Sequence, residues 1–282
     1  MKVKAENEVF HKRVPIPKLN PQSRLQRYKN LRTDTKIFES FVSRLYKVGK
    51  KLQISRWAAY RFAMGMLRLK YALFNRIEIR GEEMIPEEGA IFLVNHIGTQ
   101  DVELFLSVFS KPVSVFTAVG DSWITDFLEY KYYFIPRRGT RELMVEKMIQ
   151  NLLHKNRYLA IWPEGTYARH GKIMEGFSGI VRVYATINAK KNRIPFVPVL
   201  LQGSDCYGKW GRKSPFGKII VNYLPPVYLP RKWLSSKTKG GKTPREIINF
   251  LMNIMAKANG QISFEPNPLL ERRRGRHRRK QW

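Results

Sequence analysis

A histidine and an aspartate stand five residues apart in "NHIGTQD", at His96 and Asp101, directly after the apolar run "AIFLV". An imidazole leaving a strand end can meet a carboxylate in the first turn of the next helix. The carboxylate then fixes the tautomer through one ring nitrogen, and the other nitrogen is left to accept a proton. A base held this way activates a hydroxyl or a water. The same two residues also suit an ordinary helix start, with Asp101 as a capping group.

Two further clusters bear on that choice. In "WPEGTYARHGK" a turn at Glu164, Gly165 and Thr166 can offer backbone N–H groups and a hydroxyl to an anion, with Arg169 and Lys172 close in sequence. In "FIPRRGTRE", Arg137 and Arg138 follow an apolar segment and form a pair suited to clamping a phosphate. Together with His96 and Asp101 these clusters describe a site with a base, a carboxylate and a phosphate clamp. A nucleophile is not evident. Ser178 in "GFSGI" has Ile180 where a nucleophile elbow needs glycine, Thr166 sits in a turn suited to binding, and Cys206 is the one cysteine. His96, His154 and His170 lack the spacing of metal ligands, so no metal is expected.

These residues need a frame that brings strand ends together. Strand-like runs occur at "GAIFLVN", "PVSVFTAVG", "YYFIPRRG", "RYLAIWPEG", "RIPFVPVLLQG" and "GKIIVNYLPP", after the short segment "NRIEIRG". Helical periodicity lies between them in "DVELFLSVF", "DSWITDFLEYK", "TRELMVEKMIQNLLHK" and "GIVRVYATINAKK", and again in the late "TPREIINFLMNIMAKANG". The alternation predicts an α/β fold with a mostly parallel or mixed sheet flanked by helices, its site outside the C-terminal strand ends.

Upstream of this region, Trp57, Tyr60, Met64, Leu67, Tyr71 and Phe74 recur at helical steps, interrupted by Arg56, Arg61, Arg68 and Lys70. Such a helix suits a membrane interface, with cations at the headgroups, and it equally suits packing on its own domain. Lys and Arg number 52 against 22 Asp and Glu, a formal charge of +30, which asks for a polyanionic partner and favours the membrane reading. A basic nucleic-acid-binding protein is the alternative from another class. Zinc-finger spacing and an RNP-like aromatic strand are missing, so nucleic acid is not the expected partner. The opening "MKVKAENEVFHKR" has no apolar core of a secretory signal, and no stretch has the long uncharged run of a spanning helix, so a peripheral position on the cytoplasmic face of a membrane is expected. The chain divides into a basic irregular arm (1–35), a helical membrane-docking motif (36–76), an α/β domain (77–260) and a basic tail (261–282).

Four blocks in order, "NHIGTQD", "FIPRRG", "WPEGTYARHGK" and "FVPVLLQG", resemble those of the glycerophospholipid acyltransferases over about residues 36 to 230. The resemblance implies an α/β fold with an N-terminal membrane-docking motif, and transfer of a fatty acyl group from a thioester, acyl-CoA or acyl-carrier protein, with no cofactor. The acceptor it implies is the free hydroxyl of 1-acylglycerol-3-phosphate, a lysophospholipid, giving phosphatidic acid at an anionic membrane surface. It assigns His96 and Asp101 to catalysis, and Arg137, Arg138, Glu164, Gly165, Thr166 and Arg169 to substrate binding. The family's third block often reads Glu-Gly-Thr-Arg-Ser-Arg. Here Tyr167 and Ala168 replace the first Arg and the Ser, and "EGFSG" at 175–179 lacks the usual basic residue, which opens the reading to another lysolipid or glycerol-phosphate acceptor.

Overall fold

Every residue of "AIFLV", Ala90–Val94, is buried, as expected of a strand covered on both faces. The computed structural model describes residues 56–98, 100–117, 134–136, 148–149, 152, 158–168, 170–189, 194–204, 217–234 and 240–272. In chain order its elements are α1 (Arg56–Phe74), β1 (Arg76–Arg80), β2 (Ala90–Val94), α2 (Asp101–Val108), β3 (Ser114–Thr117), β4 (Phe134–Pro136), β5 (Tyr158–Ile161), α3 (Gly179–Ala189), β6 (Phe196–Gln202), β7 (Lys218–Tyr223) and α4 (Pro244–Ala258).

Among the described residues the strands form one sheet in the order β1-β7-β6-β2-β5-β3-β4, with β2 at its centre. The run from β6 to β4 is parallel, β7 turns antiparallel against β6, and β1 lies parallel to β7. All six apolar runs are strands of this mixed sheet. "RIEIR" is a seventh strand where the sequence shows only a preamble. As an edge it needs little apolar surface, and its Glu78 carboxylate is held by Arg80 and Lys218.

Alternate side chains of the strands feed two cores. On one face Phe92, Val94, Val115, Ala160, Val199 and Val221 meet α1 and α2, with Phe92 edge-on to Phe105 and Phe109 at 5.3 and 5.0 Å. On the other, Ile91, Leu93, Leu159 and Phe196 meet α3 and α4, with Tyr184 stacked on Phe196 at 4.4 Å. Helix α4 starts in a full capping box between Thr243 and Glu246, and Gly260 just past its end takes φ 76. Of the helical stretch 140–155 the described residues include Met148 and Leu152, both in the second core; the stretch 121–131 lies outside the described residues.

Two expectations need correction. The domain does not end at 260: Glu265 N donates to Ile173 O and Glu175 N to Glu265 O, and Asn267 is fully buried, so residues 261–272 belong to the folded unit. Helix α1, the described part of the expected docking motif, uses Met64, Leu67 and Tyr71 to pack on its own domain, with Leu67 and Tyr71 at 0% exposure. Lys70 and Tyr71 also reach the start of α2, at Gln100 Oε1 (3.0 and 3.3 Å). The apolar residues facing outward are Phe62, Leu69, Leu73 and Phe74. Spacing alone displays two apolar stripes and does not say which turns inward. Among the described residues no helix is long and apolar enough to cross a membrane.

This packing predicts opposite costs for two leucines one helical face apart. Leu67→Ala should lower unfolding free energy in urea by about 2–5 kcal/mol, the usual cost of emptying a core site. Leu73→Ser, on the outer face, should cost less than about 1 kcal/mol. Equal costs would contradict the docking of α1.

Candidate active site

Strands β5, β2 and β6 are parallel neighbours, so their C-terminal ends open on the same edge of the sheet, where sites form in such folds. From these ends come Glu164, His96 and Ser204. Asn95 fixes the first step off β2. Its side chain donates to Leu201 O (3.0 Å) and accepts from Leu201 N (2.6 Å), so that an amide continues the ladder to β6 while the main chain turns away.

Asp101 opens α2, where the helix dipole favours a negative charge. Its carboxylate is fully buried and accepts four hydrogen bonds. Oδ2 takes His96 Nδ1 at 2.9 Å, Ile97 N at 2.7 Å and Gly98 N at 2.8 Å, and Oδ1 takes Ser204 Oγ at 2.5 Å. The backbone N–H groups it accepts lie in the loop before the helix and Gln100 makes no side-chain cap, so Asp101 serves the loop and the imidazole and is not the helix cap. Because Oδ2 already accepts two backbone N–H groups, it serves His96 as an acceptor too. Nδ1 therefore carries the ring proton, and Nε2 keeps its lone pair. Gly98 allows this closeness, since a Cβ there would stand 2.4 Å from Ser204 O and 3.1 Å from Asp101 Oδ1.

The block "PEGTYA" wraps His96 from the other side. Glu164 Oε2 accepts from His96 N at 2.9 Å, Ala168 N donates to His96 O at 2.6 Å, and the Tyr167 ring lies 4.2 Å, centroid to centroid, from the imidazole. Trp162 adds a second aromatic at 6.0 Å. Asn267 secures this loop from the C-terminal segment, its amide donating to Glu164 O and Glu175 O, both at 2.8 Å.

The expected site residues fare differently. His96 and Asp101 are joined as the sequence suggests. Glu164 is not turned toward a substrate: its carboxylate is fully buried and accepts the N–H groups of His96 and Met174. The Gly165 N–H is likewise taken, by Trp162 O at 3.1 Å, and does not face an anion. Gly165 sits at φ 65 with Phe177 beneath it, where a Cβ would come within 2.9 Å of the ring, so glycine is required by the turn itself. Thr166 is half-buried on the same turn. Lys172 pairs with Glu265 on the surface. Arg137, Arg138 and Arg169 lie outside the described residues. Ser204, Tyr167 and Asn267 were not singled out as site residues by the sequence, and only the proximity of Tyr167 to the Glu-Gly-Thr turn could have flagged one of them. Among the described residues no group of three His, Cys, Asp or Glu side chains could hold a metal ion.

A doubly covered α/β sheet with a histidine on a buried carboxylate at its C-terminal edge defines a class of protein, one built for base-assisted chemistry at an open strand end. Comparison with known proteins narrows it. Residues 76–202 match the family model described as Acyltransferase. The 1-acyl-sn-glycerol-3-phosphate acyltransferase of Saccharomyces cerevisiae is 25% identical over 194 residues, 64% of this chain and 60% of that protein. The protein of the same name from Cocos nucifera is 24% identical, over 56% of this chain and 52% of its own length. The chain thus spans about half to three-fifths of these curated relatives. The crystal structure of the 1-acyl-sn-glycerophosphate acyltransferase PlsC from Thermotoga maritima shares the fold, with TM-score 0.54, 19% identity, and coverage of 79% of this chain and 91% of that one. Over residues 76–202, which carry β1 to β6 and the His96–Asp101 pair, the chain is similar to the Acyltransferase family.

Burial pushes the Glu164 carboxyl up to about 8, against the opposing pull of the Met174 and His96 N–H groups; the Asp101 charge adds to the rise. The folded protein therefore keeps this proton up to about pH 8, whereas the unfolded chain gives it up near the ordinary value of 4.5. Between those limits the folded state binds more protons, so this residue's contribution to stability falls as pH rises. Melting curves from pH 5 to 8.5 should show wild-type protein losing stability with pH more steeply than Glu164→Gln, which has no proton to lose. Parallel curves would contradict the burial of an ionisable carboxyl at this point.

Proposed function

We propose that the chain is an O-acyltransferase that moves a fatty acyl group from a thioester donor to the free hydroxyl of a 1-acylglycerol-3-phosphate. One observation carries the reading: His96 is held through Nδ1 on Asp101, which leaves Nε2 as a base at the open strand edge. Nε2 takes the acceptor's hydroxyl proton as its oxygen attacks the thioester carbonyl. A C–O bond forms, the C–S bond breaks, and the thiolate leaves and recovers the proton from the imidazolium. Asp101 supports the positive charge that His96 acquires on the way.

The names of the relatives in yeast and coconut support the lysophosphatidate acceptor. Arg137, Arg138 and Arg169 are the cations proposed to hold its phosphate, and acyl-CoA or acyl-carrier protein is the proposed donor. The replacement of the third block's usual Arg-Ser by Tyr167-Ala168 favours a second reading, in which the acceptor is another lysolipid or glycerol phosphate. The formal charge of +30 and the outward Phe62, Leu69 and Leu73 of α1 support a peripheral site on an anionic membrane, now through the face opposite the one that packs on the domain.

Labelled acyl thioester supplied with a panel of lysolipids tests the proposal. Lysophosphatidate should be the best acceptor, and His96→Ala should lower turnover by about 10² to 10⁴-fold with the fold intact. Donor alone should leave no acyl group on the denatured protein, since His96 serves as base and not through a covalent intermediate. A folded His96→Ala enzyme with near-normal turnover, or an acyl adduct that chases into product, would overturn it.

A further inference from the structure

We infer that Tyr167 is a positioning residue for His96 whose aromatic face stabilises the imidazolium formed as the acceptor hydroxyl is deprotonated. The inference rests on His96 acting as the base. The two ring centroids are 4.2 Å apart with planes inclined by 54°, which puts the imidazole well within cation–π range of the phenol ring. The face of a phenol ring carries the negative lobe of its quadrupole, which attracts a cation within about 6 Å of the centroid. A neutral imidazole gains little from it. The gain appears as the proton arrives, so it falls on the transition state and not on the bound substrate.

The surroundings of His96 give this contact weight. The residues packed about the same loop, Trp162, Ile97, Ala168 and Met174, are apolar and buried, so the interaction is not weakened by open solvent on that side. Asp101 restrains one edge of the imidazole through Nδ1, and Tyr167 packs against the same ring. The same turn holds the main chain of His96 at two points, through the Glu164 carboxyl and the Ala168 N–H, so ring and backbone are gripped by one five-residue segment. A cation at position 167 would set like charge against the imidazolium; an aromatic ring there does the opposite.

The test varies the electron density of the ring at constant shape. Tyr167→Phe is the reference, and phenylalanines with one, two and three ring fluorines are placed at the same position by nonsense suppression. Acyl transfer is followed with acyl-CoA and lysophosphatidate, and the melting temperature is recorded for each protein. Tyr167→Phe sets the kcat against which the fluorinated rings are read. Each fluorine should then lower log kcat by a similar step, reaching about three- to tenfold for the trifluoro ring, with both KM values and the melting temperature unchanged. Tyr167→Leu should fall at or below the trifluoro protein. A flat kcat across the fluorinated set, or an effect confined to KM, would overturn the inference. His96→Ala assayed in parallel separates the two levels: near-normal turnover there overturns the base assignment and this inference with it, whereas an inactive His96→Ala beside a flat fluorine series overturns the role of Tyr167 alone.

Discussion

The carboxylate of Asp101 is the constraint around which the site is arranged. A buried charge costs several kcal/mol unless hydrogen bonds replace the water it has lost. Here four donors do so, and they come from three places: the His96 ring, the backbone of the loop after β2, and a serine after β6. Each donor satisfies the carboxylate and is in turn fixed by it. The loop cannot drift without stripping a charge of its partners, and the imidazole cannot reverse its tautomer without turning a lone pair toward that charge.

The sheet explains how such distant donors converge. Parallel pairing of β5, β2 and β6 brings residues 68 and 103 positions from His96 and Asp101 to the same edge. The second carboxylate, Glu164, has a different task. Buried and proton-holding to about pH 8, it links the backbone of His96 to that of Met174, and so joins the loop that carries the base to the loop that surrounds it. Asn267 then ties that assembly to the segment after α4. Two acidic side chains at adjoining strand ends thus do separate work, set by the number and kind of donors around each.

What the sequence makes legible follows from range. The His96–Asp101 pair is local, and a strand end followed by a helix start brings such residues together almost regardless of the rest of the fold. The central strands are legible because burial on both faces demands unbroken apolar runs. Ser204 and Tyr167 are not, because an isolated serine or tyrosine acquires its meaning only from a neighbour far along the chain. Glu164 misleads for a related reason: a carboxylate in a polar turn looks solvent-facing until the sheet register shows the N–H groups beneath it. On α1, two apolar stripes compete for the interior, and the choice falls to the shape of α2 and β2 against which Leu67 and Tyr71 fit.

Catalysis by this site turns on Asp101 holding His96 as the Nδ1-protonated tautomer with Nε2 free to take a proton. The ¹⁵N spectrum of protein labelled in its histidine rings, recorded at a pH where His96 is neutral and assigned by comparison with His96→Gln, reads this directly. Nδ1 should show a protonated-type shift and Nε2 an unprotonated-type shift, a pattern that Asp101→Asn should disturb. The reverse assignment, with the proton on Nε2 in the unaltered protein, would contradict it.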